Sequence, residues 1–243
     1  PRRLSPGVRR RPVASGVEYM EQIRSGADGP LAEAAALLSL GCLSLMNGQT
    51  EVGRDLYRRS EAINRDLGVR LLAAAQPTLT GWSELVAGDV TTAETLLRRG
   101  YAELEEMGER GVLSSTAAEL GRVLCEQGSY DEADRFAASS EQLSGPGDAF
   151  NSSLIAGIRA RVFASRGDFA AASDAAQEAV ARAAAGDCVE LKADAYRALA
   201  EVRQASGRKE DAEAALQDAL RFYEEKGNLI AAERVWVALA QSR

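Results

Sequence analysis

The chain is 243 residues long with a formal charge of −7, and 46% of its residues are hydrophobic but only 5% aromatic. It holds no histidine, which excludes Ser-His-Asp and Cys-His nucleophilic catalysis and every histidine-bearing metal site. Residues 1–12 carry five arginines and no acid, so the remainder carries −12, which argues against a nucleic-acid surface there because neutralising phosphates takes clustered cations.

Taken in order, residues 1–12 (with Arg2, Arg3, Arg9, Arg10 and Arg11) read as a basic linker, the alternative being an arm that touches DNA or a membrane. Val13 to Ser25 predicts a helix with Val13, Val17 and Met20 on one side. Residues 13–29 therefore stand as an orphan helix of a preceding repeat, as if the chain were cut from, or began inside, a longer array. Helix pairs follow from Pro30: about 30–46 with 51–67, 70–86 with 91–107, 111–126 with 130–143, 148–165 with 169–185, and 188–205 with 209–226. A last helix, about 229–241, carries Leu229, Val235, Trp236 and Leu239, and is expected to cover the end of the final repeat. Scarce proline and abundant Ala, Leu, Glu and Arg favour helix, and no alternating apolar–polar run is long enough for a strand.

The pairs are regular. Gly48, Gly88, Gly128, Gly167 and Gly207 recur at spacings of 40, 40, 39 and 40, the mark of stacked repeats. Each glycine ends one helix by taking a positive φ, and Asp89, Ser129 and Asp168 are placed to cap the next. Seven residues before each turn glycine sit Gly41, Gly81, Gly121, Ala160 and Ala200; five after sit Gly53, Ala93, Ala133, Ala172 and Ala212; twelve after sit Ser60, Gly100, Ser140, Ala179 and Ala219. All are small, which lets helix axes approach closely. The expectation is an all-α solenoid over 30–243, with repeats at about 30–68, 69–108, 109–147, 148–186 and 187–227 and a capping helix over 228–243.

This grammar resembles the tetratricopeptide repeat family, which places a small residue in helix A, a glycine at the turn and two small residues in helix B at these offsets. The resemblance implies a right-handed α-α superhelix. Two features depart from it: the period is about 40 where the family uses 34, and Arg65 and Glu105 stand near the place of its helix-B proline. Both mean longer helices. A narrower likeness rests on Ala87-Gly88-Asp89 with Ala93-Glu94, on Leu97-Arg98-Arg99-Gly100-Tyr101, on Leu104-Glu105-Glu106-Met107-Gly108-Glu109, and on Tyr223-Glu224-Glu225-Lys226-Gly227-Asn228. These resemble the C-terminal repeat region of bacterial proteins that join a class III nucleotide cyclase, an ATPase domain and a helical tail, and related ATPase-containing transcription regulators. The chain itself has no G-x-x-x-x-G-K-[ST] phosphate loop and no αβ cyclase domain. The resemblance thus implies an interaction scaffold or, alternatively, a sensory or regulatory tail.

By the same resemblance, the first helices of the pairs line a concave face whose exposed positions fall three, six, nine and ten residues before each turn glycine. They select Leu38, Cys42, Leu45, Leu79 and Trp82 as an apolar half, and Glu119, Arg122, Arg161, Arg197 and Glu201 as a charged half. The surface would suit a protein or peptide with an apolar end and an acidic end. Two alternatives stand beside this: Trp82 packs between repeats, and the arginines pair with Glu119, Asp194 and Glu201. Enzyme domains of the same polypeptide are the other expected partner, and a homo-oligomer stacked through apolar end faces stays open. No catalytic residue, cofactor or metal is expected. Cys42, Cys125 and Cys188, odd in number and far apart, read as free thiols of a reducing cytoplasm, and no apolar run reaches membrane-spanning length.

Overall fold

A glycine lock repeated at near-constant spacing folds the chain back on itself. At each turn the glycine amide donates to the carbonyl three residues back, and the next amide to the carbonyl five back: Gly128 N to Cys125 O at 3.0 Å and Ser129 N to Leu124 O at 2.8 Å, with the same pair at Gly48, Gly88, Gly167 and Gly207. This closes the orphan carbonyls at the helix end and requires positive φ, 75° at Gly128.

The computed structural model describes residues 12–26, 28–145 and 147–241. The expected basic linker thus lies outside the described residues except for Pro12. Among the described residues there are twelve helices and no strand: α1 Val13–Ser25, α2 Pro30–Met46, α3 Thr50–Asp66, α4 Arg70–Ala87, α5 Val90–Glu106, α6 Gly111–Glu126, α7 Tyr130–Leu143, α8 Ala149–Ser165, α9 Phe169–Ala184, α10 Val189–Ala205, α11 Lys209–Lys226 and α12 Leu229–Gln241.

Two of the three expected caps form. Asp89 accepts from Thr92 N at 3.0 Å and Asp168 from Ala171 N at 3.1 Å. Ser129 makes no side-chain cap, and Asp131 and Glu132 bring negative charge to that first turn. Asp148 and Asn228 cap α8 and α12 through Asn151 N and Ala231 N, two caps the repeat pattern did not single out.

The helices pair as α2·α3, α4·α5, α6·α7, α8·α9 and α10·α11. In addition α2, α4, α6, α8 and α10 each touch the next of their own kind and form an inner layer, while α3, α5, α7, α9 and α11 lie outside it. The small residues make the pairs possible: all fifteen repeat-phased positions are buried. A Cβ on Gly41 would sit 2.8 Å from Gly53 O, and one on Gly100 would sit 2.7 Å from the Pro77 ring. Pro77 lies inside α4, where it forfeits one helical hydrogen bond; its ring occupies the slot Gly100 leaves open.

The ends of the array meet. α1 packs on α2, joining Val13 and Met20 to Leu40 and Leu43. α12 packs on α11 and also reaches α2 and α4. A Cβ on Gly48 would lie 3.3 Å from Ile230 Cδ1, and one on Gly227 would lie 3.6 Å from Val13 N. The five repeats therefore form an arc whose opening α12 crosses.

Alanine at a helical glycine gains about 1 kcal/mol of propensity, so steric room decides the sign. At Gly53 the new methyl would overlap Leu45 Cδ1 and sit 2.7 Å from Gly41 O. At Gly157 its nearest neighbour is Ala198 Cβ at 3.8 Å, an ordinary contact. Gly53→Ala is expected to lower stability by about 1–3 kcal/mol and Gly157→Ala to raise it by up to about 1 kcal/mol, read from denaturant unfolding curves. The same sign at both positions would contradict the packing described.

Candidate functional site

The inner helices position the ten residues selected from the sequence, but not on one open surface. Cys42 and Leu45 of α2 are buried, as are Glu119 and Arg122 of α6. Their assignment to exposed positions is thereby corrected. Leu45 faces α3, its Cδ1 lying where a Cβ on Gly53 would be. Cys42 lies inside against α4, where burial pushes its thiol up to about 11 in spite of a bond with the Ser83 side chain. Leu38, Leu79 and Trp82 are half-buried. The Trp82 ring packs against two clusters, one with Leu43 and Met46 of α2, the other with Val86 of α4 and Ala231, Val235 and Leu239 of α12. It joins the two ends of the arc.

The charged half is a network across the inner layer. Arg122 donates to Glu119 Oε2 on its own helix at 2.6 Å and to Asp194 Oδ2 of α10 at 2.5 Å. The Tyr223 hydroxyl of α11 donates to the other Asp194 oxygen at 2.6 Å. Arg161 of α8 donates through Nε and Nη2 to both oxygens of Glu201 in α10, at 2.5 and 3.2 Å. Arg197 spans from α10 to Glu126 Oε1 at the end of α6, at 2.9 Å. Arg234 of α12 reaches the other Glu126 oxygen at 3.5 Å and donates to Leu85 O and Val86 O, at 2.9 and 3.4 Å. The space between Leu85, Val86, Arg122, Arg197, Tyr223, Ala231 and Arg234 is a cavity of about 10 Å³, enough for one water at most.

The network has a dry side and a wet side. Arg122 and Asp194 keep 9% of their side-chain area exposed, whereas Glu201 keeps 42%. Burial pushes the Glu119 carboxyl above its ordinary range, and Asp194 adds to this against the pull of Arg122. At Glu126 burial also pushes upward, but Arg197, Arg161 and Arg234 together outweigh it and hold the carboxyl at about 2. Burial raises the Cys125 thiol to about 11 although Arg161 pulls the other way, so it is protonated at neutral pH and not a nucleophile. Among the described residues no group of His, Cys, Asp and Glu is placed to hold a metal ion, and no helix is long and apolar enough to cross a membrane.

Of the ten residues, the structure pairs Glu119 with Arg122 in one group, links Arg161, Glu201 and Arg197 in a second beside it, and leaves Leu38 and Leu79 apart from both. Sequence reasoning missed Tyr223, Arg234 and Glu126 as members of the site. The available signal was chemical: Arg234 borders the apolar stripe Ala231, Ala232, Val235 and Leu239, a position that asks for a partner.

No protein-family profile matches the chain, and no curated protein matches it in sequence. Solved structures do match in fold. BtubC (BKLC) from P. vanneervenii aligns over 86% of this chain and 87% of its own, at 16% identity and a TM-score of 0.59. A Signal Transduction ATPase with Numerous Domains from Pyrococcus horikoshii, which has a tetratricopeptide repeat sensor, aligns at 15% identity and a TM-score of 0.57 over 93% of this chain but only 34% of that one. A Rap protein complexed with Competence and Sporulation Factor aligns at 14% identity and a TM-score of 0.59, over 94% and 70%. The fold is accordingly a tetratricopeptide-like all-α repeat superhelix, as the repeat grammar implied.

Because the folded Glu126 titrates near 2, below the 4.5 of a free glutamate, its stabilising contribution is complete above pH 4.5 and is lost as pH falls toward 2. Glu119, shifted upward, works in the opposite direction. Glu126→Gln is expected to melt below the unaltered chain at pH 7, and the gap should close between pH 4.5 and 2. A gap independent of pH would mean that Glu126 is not held by its arginines.

Proposed function

We propose that this chain is a non-catalytic scaffold that binds a protein or peptide on the inner face of its superhelix. The observation that carries the reading is the partly exposed side of the network on α8 and α10, where Arg161, Arg197 and Glu201 stand on the same inner layer as the half-buried Trp82. Paired arginines and carboxylates that keep contact with water can exchange partners, whereas the buried Arg122–Glu119–Asp194 group is frame. The candidate contact residues are therefore Leu38, Leu79, Trp82, Arg161, Arg197 and Glu201, with Cys42, Leu45, Glu119 and Arg122 acting beneath them. An acidic partner segment would compete with Glu201 and Glu126 for the guanidinium groups. The likeness to a Rap protein complexed with Competence and Sporulation Factor supports the reading.

A second reading makes the chain the sensory or regulatory part of a multidomain ATPase- or cyclase-type signalling protein, whose partner would be an enzyme domain of the same polypeptide. It is favoured by the likeness to a repeat sensor of which this chain spans about a third of the parent. Under either reading the partner is protein, not nucleic acid or membrane, and the working compartment is the cytoplasm.

Trp82→Ala and Arg161→Ala, made in the protein as its own cell expresses it, are each expected to reduce recovery of co-purifying protein about tenfold or more. Partners retained unchanged by both variants would sink the inner-face reading. An immunoblot band much heavier than 25.8 kDa would select the second reading over the first.

A further inference from the structure

We infer that α12 is the resident occupant of a helix-binding surface formed by α11, α2 and α4, and that a partner's amphipathic helix bearing an arginine beside its apolar stripe takes the same seat. This rests on the inner-face reading and adds to it: the partner's helix takes the α12 seat, while its acidic segment pairs with Arg161 and Arg197.

The seat is defined by what α12 puts into it. Its inward residues are Ala231, Ala232, Val235 and Leu239, packed in one cluster with Leu216, Leu220 and Tyr223 of α11 and Val86 of α4. Its polar anchor is Arg234, whose guanidinium donates to Leu85 O and Val86 O in the last turn of α4 and pairs with Glu126, the last residue of α6. Two helix C-termini thus converge on one cation. The α4 end offers two carbonyl oxygens and the α6 end a carboxylate, each at the negative end of a helix dipole, which suits a planar, multi-donor guanidinium better than the single point of an ammonium. The cavity under α12 is only about 10 Å³, so the seat is shaped to a helix.

Three features make the occupant replaceable. First, α12 is joined to α11 by the short turn at Gly227 and Asn228, with Gly227 at φ 72°, about which it swings once its packing on α11 parts. Second, its larger apolar side chains face away from the seat: Leu229, Trp236 and Val237 are 57%, 54% and 51% exposed, while two of its four inward residues are alanine. A helix with bulkier inward residues would hold the seat more strongly, provided α2 and α4 adjust. Third, withdrawal of Arg234 leaves no orphaned charge. Glu126 keeps Arg197 on its other oxygen at 2.9 Å, and the Leu85 and Val86 carbonyls return to water.

The test uses a fluorescein-labelled peptide of residues 229–241, with blocked ends, titrated into the full chain by anisotropy. The apparent affinity of any competitor is reduced by the fraction of chains whose seat is filled. The peptide is expected to bind the Arg234→Ala chain at least about tenfold more tightly than the unaltered chain. The same peptide carrying Arg234→Ala should bind both chains at least about tenfold more weakly than the parent peptide. Equal binding to both chains, or binding indifferent to the peptide's arginine, would overturn the proposal. Should the Arg234→Ala chain fail to melt cooperatively, Val235→Ala loosens α12 without touching charge and carries the same expectation. Failure here with Trp82→Ala or Arg161→Ala still abolishing partner capture would remove the role of α12 and leave the binding face. Peptide binding without any effect of those two variants on capture would do the reverse.

Discussion

Gly41 and Gly53 lie so close that a Cβ on either would press within 3 Å of the other's carbonyl oxygen. That approach of one helix backbone to the next, repeated with glycine, alanine or serine in every unit, is the constraint on which the remaining structure depends. Where axes pass this closely, large neighbours such as Leu40, Leu97 and Leu120 interlock above and below the crossing, and the pair has one geometry. Stacking five such pairs then leaves little freedom. The inner helices run side by side, the outer ones shield them, and a small rotation per unit bends the row into an arc.

The curvature of that arc gives the inner face its chemistry. Helices two repeats apart along a straight row would not meet, yet Arg122 on α6 reaches Asp194 on α10, and Arg197 reaches back to Glu126. An apolar filling would have been at least as stable, since desolvating paired charges offsets much of their attraction. What the ion pairs supply is direction: a guanidinium fork accepts carboxylates from particular angles, so the register between distant repeats is specified. The Tyr223 hydroxyl and the second oxygen of Asp194 complete the buried end, leaving the exchangeable pairs toward water.

The proposed recognition role draws on this arrangement and on the state of its ionisable groups. The two most buried thiols are held protonated, and the carboxyl of Glu126 is displaced toward permanent ionisation by its arginines, whereas that of Glu119 is pushed upward by burial. The frame pairs its charges, keeps some of them wet and seats one helix of its own across the opening, and the proposed exchange of helical partners draws on these three features.

Much of this was legible in the sequence because it is local. The forty-residue glycine spacing, the fifteen small positions and the helix limits all follow from contacts within one repeat or between neighbours. The expected 70–86 and 91–107 stand beside the observed 70–87 and 90–106 for that reason. The caps at Asp89 and Asp168 belong to the same class. Exposure on the inner face did not follow, because it depends on what arrives from far along the chain. Cys42 and Leu45 occupy positions that an open superhelix would leave bare, and they are buried because α3, α4 and α1 close over α2. Arg122 with Asp194, Arg197 with Glu126, and Arg234 with the last turn of α4 were beyond reach for a stricter reason. Each contact depends on rotation accumulated over several repeats, and a few degrees per repeat decide whether two side chains 70 or more residues apart meet or miss. The sequence by itself therefore determined the unit and its repetition; only the tertiary structure decided how tightly the units curl, and with that which charges face one another and which helix lies across the opening.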